Sequence, residues 1–183
     1  MATAKKAKQN VNQLSNSKSD SAGQSHDKEL REYLKKVLTW GEAHADWKDA
    51  LKGLDPAQRG STPAGAPHSP WELLEHARIA QWDIVQFCID AKHKSPDWPS
   101  GYWPKSPTPP NDAAWDKSVK QFASDTQEMA KIVEDRGRDL FARIPNGSGQ
   151  TLLRQVLLLA DHNAYHLGQF VLVRRLLGAW DKS

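Results

Sequence analysis

The 183-residue chain has one cysteine, Cys88, so an internal disulfide is excluded and a reducing compartment, the cytoplasm, is expected. No apolar run approaches the ~18–20 residues that a membrane span needs, so no membrane partner is expected. The N-terminal stretch "MATAKKAKQNVNQLSNSKSDSAGQS" is basic but is followed by no apolar segment, which argues against a secretory signal. Acidic residues are missing from this stretch before Asp20, while Lys5, Lys6, Lys8 and Lys18 lie in it. Setting those four lysines aside takes the formal charge from +3 to −1. The remainder has no basic surplus to read nucleic acid. Large apolar side chains are also scarce at the start, so residues 1–26 are predicted to be a solvated, disordered tail. The domain is expected over 27–181. No convincing strand and no internal repeat is visible.

What is present is helical periodicity. Leu30, Tyr33, Leu34, Val37, Trp40, His44, Trp47, Leu51 and Leu54 recur at three and four, predicting one helix over about 27–54 with Asp27 as its cap and Gly41 tolerated inside it. Pro56 follows its end. "SPWELLEH" then carries a complete start signal: Ser69 to cap, Pro70 in the first turn, and Glu72 to close a capping box. The second helix is predicted over about 70–91, with Leu73, His76, Ala77, Ala80, Ile84, Phe87 and Ala91 facing inward. A third is predicted over 112–136 on the seam Trp115, Val119, Phe122, Thr126, Met129 and Val133. The fourth is predicted over 150–178, with Gly178 near its end. Four amphipathic helices around one core make an all-α four-helix bundle, with long connections at 55–69 and 92–111. The second connection, "KHKSPDWPSGYWPKSPTPPN", has six prolines, yet Trp98, Tyr102 and Trp103 make it too apolar for a bare linker. It is read either as a cover over something or as aromatics sealing one end of the bundle.

His162 and His166 lie four apart inside "LLLADHNAYHLGQF". At 100° per residue they sit about 40° apart on one helix face, beside Leu159, Phe170 and Val173. Gln155 and Gln169 fall on the same line. Buried imidazoles cost free energy unless their nitrogens find partners. One solution is a shared divalent metal, because histidines at this spacing bind one ion from one helix. The other is hydrogen bonding within the core. Asn163 stands where a zinc protease needs glutamate, which disfavours that chemistry. His76, inward on the second helix, is a third candidate ligand. Three imidazoles leave a tetrahedral metal one open position, as in catalytic zinc sites. His44, also predicted inward, is a candidate fourth ligand, second-layer partner or base, or a core histidine. His26, His68 and His93 are expected to be exposed. Imidazole suits Zn and Ni, and also Fe; Mn is the other ion considered.

The segments "SPWELLEHARIAQWDIVQFC" and "LLLADHNAYHLGQFVLVRRLLGAW" resemble the DinB/YfiT-like superfamily. "GEAHADWKDALKGL" and "PDWPSGYWP" are similar to one bacterial branch of it. The resemblance covers about 28–180. It implies a four-helix bundle with a divalent metal held by His76, His162 and His166. It further implies a homodimer, for which Trp82 is a candidate interface residue. By analogy with related thiol S-transferases and a mycothiol-dependent isomerase, the site would activate water or a low-molecular-weight thiol against a small-molecule substrate. His44 is then the first candidate proton acceptor, followed by Tyr165 and Asp161. Gln169 could orient a bound ligand. Trp40 and Trp47 would wall a pocket for an apolar or flat molecule, or simply pack. The competing reading is a non-enzymatic metal- or ligand-binding bundle of a stress response.

Overall fold

The computed structural model describes residues 23–39 and 41–180. Four long helices enclose the core: α1 (residues 23–38), α3 (Pro70–Ile89), α4 (Asp112–Glu134) and α5 (Leu152–Leu176). A fifth, α2 (Trp47–Leu51), is a single short turn between α1 and α3. Among the described residues there is no strand, only an isolated bridge between Arg143 and Thr151. The fold is the expected all-α bundle. Among the described residues no helix is long and apolar enough to cross a membrane. Residues 1–22, most of the predicted tail, and Trp40 lie outside the described residues.

The single helix predicted over 27–54 is two. The helix is already running at residue 23, so Asp27 is not its cap; its carboxylate instead accepts from Arg31 Nε four residues on, at 2.9 Å. The chain leaves the helix at 39. Gly41, with no side chain to hold helical geometry, is followed by Asp46, whose carboxylate accepts from the Asp49 amide at 2.7 Å and starts α2 afresh. The break lets the two pieces bury against different neighbours. Leu34 and Leu38 of α1 join Ile84, Val85, Met129, Val133 and Val156 in one apolar cluster. Ala50 and Leu54 join Trp71, Leu74, Trp115 and Phe170 in a second. Tyr33, expected inward, is half exposed.

The capping box on α3 forms as the sequence predicts: Ser69 Oγ accepts from the Glu72 amide, and Glu72 Oε2 accepts from the Ser69 amide at 2.8 Å. Two buried arginines tie ends together. Arg31 donates to the carbonyls of Val133 in the last turn of α4 and of Asp135 and Arg138 beyond it, and Arg174 donates to Ala50 and Lys52 at the end of α2. Gly178, at φ +66°, follows the cap of α5 where a left-handed residue is needed.

Between the two apolar clusters the bundle changes character. The residues of α3, α4 and α5 that fall there include His76, Gln81, Thr126, Asn163 and His166, all buried. Gln81 organises much of this layer. Its Nε2 donates to the Phe122 carbonyl at 2.6 Å, and its Oε1 accepts from Thr126 Oγ1 and Asn163 Nδ2. Most buried polar groups are paired in this way, because an unpaired one costs its full desolvation penalty.

Candidate metal centre

His76 projects from α3, and His162 and His166 from α5, into this polar layer. Their Nε2 atoms converge: His76 lies 3.1 Å from His166 and 3.2 Å from His162. Among the described residues these three form the one group of side chains able to hold a metal ion.

The outer nitrogens decide what the inner ones are. His76 Nδ1 lies 2.9 Å from the Tyr102 carbonyl, which can only accept, so Nδ1 carries the proton and Nε2 a lone pair. His166 Nδ1 likewise donates to Gln169 Oε1 at 2.7 Å. Two lone pairs therefore face each other across 3.1 Å. No neutral hydrogen bond joins two acceptors, and a cation or a proton must come between them. A proton is disfavoured. Burial, with the neighbouring histidines adding to it, pushes His162 and His166 down to about 4, and burial also lowers His76. A divalent ion suits the spacing, because tetrahedral metal–nitrogen bonds of about 2.0–2.1 Å set their nitrogens about 3.3–3.4 Å apart. The donor set fits such an ion and leaves a tetrahedral one its fourth position.

The proline-rich connection is the cover that the sequence suggested. Trp103 lies flat on His76, with ring centroids 3.9 Å apart and planes 6° apart. His68 stacks on the other side of the same indole at 4.1 Å. Asp83 on α3 anchors the segment, accepting from Tyr102 Oη at 2.7 Å and contacting His93 Nε2 at 2.6 Å. Neither His68 nor His93 is exposed as predicted: His68 is drawn in by Trp103 of the loop and His93 by Asp83 of α3, partners that sequence spacing does not reveal. Trp82 is half-buried against His93 rather than free on the surface. Trp98, in contrast, is 77% exposed.

His44 is not on an inward stripe. It lies in the irregular segment between α1 and α2, exposed, with Nδ1 donating to the adjacent Ala45 carbonyl. Tyr165 is exposed, its ring edge-on to His166 at 5.0 Å. Asp161 points to solvent, and Glu75 pairs with Arg78. Trp47 packs on Phe122 and Phe170 and donates to the Asn163 carbonyl; it lines a cavity that the three histidines do not border. Gln169, expected to orient a ligand, accepts from His166 Nδ1. Sequence reasoning missed Trp103's stacking on His76, the Tyr102 carbonyl and Asp83. The aromatic content of the loop was the one available signal.

Comparison with known proteins adds one finding. The family description that matches is the DinB superfamily, over residues 39–170. Neither the curated proteins nor the solved structures contain a match to the chain.

Proposed function

The chain belongs to the DinB superfamily, and from that premise we propose that it is a metal-dependent enzyme, a hydrolase or thiol S-transferase, built on His76, His162 and His166. The observation that carries this reading is the pair of lone pairs on His76 and His166, held face to face at 3.1 Å in a buried layer. A divalent ion, zinc or nickel first, with iron or manganese after them, would supply Lewis acidity that favours deprotonation of a water or a low-molecular-weight thiol.

The protein's own groups do the rest. The Tyr102 carbonyl and Gln169 fix the tautomers of His76 and His166, so both present acceptors without reorganisation. Trp103 shields His76 and forms an apolar wall for a small-molecule substrate. Tyr165, exposed beside His166, is better placed than His44 to pass a proton to solvent. The single free Cys88 suits a cytoplasmic setting.

The flat seating of Trp103 on His76 favours one competing reading, a non-enzymatic bundle in which the metal mainly fastens α3 to α5. Elemental analysis of untagged protein comes first. About one divalent ion per chain is expected, lost in both His76→Ala and His162→Ala; no ion after reconstitution overturns the metal centre. The cobalt-substituted protein then separates the readings. A shift of its visible bands on adding azide or a thiol supports the enzyme, and bands indifferent to both support the structural role.

A further inference from the structure

The opposite flank of α5 borders a cavity of about 930 Å³, within the range of roughly 300–1,000 Å³ typical of small-molecule sites. Ala160, Asn163, Ala164 and Leu167 line it. Their mean direction lies about 130° round the helix from that of His162 and His166, so cavity and metal centre occupy different faces. Its walls are apolar and largely aromatic: Trp47, Leu51, Trp115, Val119 and Phe122. Ala123 and Ala164 are exposed on its border, so it opens to solvent.

The rim is not neutral. Lys48, Lys52 and Arg59 stand on it. Neither lysine has an ion-pair partner among the described residues. Arg59 pairs one amino group with Asp112 at 2.8 Å and lays its guanidinium over Trp115 at 4.8 Å, which leaves its Nε buried without an acceptor. Two acids share the rim. Arg59 is balanced by Asp112, and among the described residues neither Asp46, which accepts the amide that starts α2, nor Asp116 forms an ion pair with Lys48 or Lys52, so both ammonium groups are free to meet a ligand. An apolar chamber with uncommitted positive charge at one edge suits a molecule that is apolar along its body and anionic at one end.

We propose that this cavity is a second ligand site, separate from the metal centre, and that it takes an amphipathic carboxylate. The apolar body lies between Trp47, Trp115 and Phe122, and the carboxylate meets Arg59, Lys48 and Lys52. The site needs no metal.

Calorimetric titration of the full chain with sodium dodecanoate below its micellar concentration tests this. One molecule per chain is expected, bound at least tenfold more tightly than dodecyltrimethylammonium. Ala123→Trp, at an exposed position, fills the chamber and should weaken binding at least tenfold while leaving helicity and metal content unchanged. Lys48→Glu combined with Lys52→Glu should weaken dodecanoate and not the cationic amphiphile, with no burial to disturb folding. Absence of saturable binding, equal affinity for the cation, or binding undiminished in both variants overturns the proposal.

Discussion

Gln169 is a residue that would hold no metal itself and yet would govern how well the proposed site holds one. Its Oε1 accepts the only proton that His166 can carry without losing its inward lone pair. Replacing it with leucine leaves that ring free to adopt the other tautomer and to turn. Groups in this position typically contribute 10–100-fold to metal affinity. Gln169→Leu is therefore expected to weaken the ion by about 10–100-fold, measured by competition with a chromophoric chelator. Gln169→Glu, which keeps an acceptor in place, should recover most of the loss. His44→Ala should leave the affinity unchanged, since His44 is exposed and bonded only to its neighbour's carbonyl. His162 differs from the other two candidate ligands. Its buried Nδ1 has no well-formed hydrogen bond, and the Asn163 side chain is the polar group that acts on it.

At the scale of elements, the loop between α3 and α4 matters as much as the helices. Asp83 anchors it by two side chains, His93 and Tyr102, and Tyr102 in turn presents the carbonyl that orients His76. Two such bonds to a charged acceptor, at about 1.5–3 kcal/mol each, stabilise the closed loop by about 3 kcal/mol or more. Asp83→Ala should raise the open population by about 100-fold or more, read as faster tryptic cleavage at Lys94 and Lys105 and, if the site holds an ion, faster metal release to a chelator. This dependence was not legible in the sequence, for a physical reason. Periodicity reports which face of a helix is apolar, and it identified His76, His162 and His166 because each interrupts such a face. It carries no information on where a segment with six prolines folds back. The capping box of α3 was legible because its partners are three residues apart. The break between α1 and α2 was not, because the apolar spacing continues through Gly41 while the chain divides to serve two separate clusters.

For the whole molecule, an ion held by the three histidines would be coupled to the fold through the layer that separates the two clusters. An ion bound to the native state and not to the unfolded chain stabilises the fold by about 4 kcal/mol when its concentration is a thousand times Kd. Cys88 offers a reporter of that coupling. It packs against the apolar cluster at the far side of α3, and burial pushes its thiol up to about 12. At pH 8 a thiol with that value is ionised in only about one molecule in 10⁴, and the thiolate is the reactive form. Reaction with a disulfide reagent therefore waits for the bundle to open. As pH rises toward 12 the native thiol begins to ionise in place; at pH 8 and below, labelling follows opening alone. Saturating zinc or nickel should slow labelling of the parent protein in moderate urea by two orders of magnitude or more, a difference of about 3 kcal/mol. His162→Ala should show no such protection, because its metal site is gone. Rapid labelling of the native protein at pH 8, unaffected by the ion, would mean that Cys88 is reached without unfolding and that the two clusters open independently.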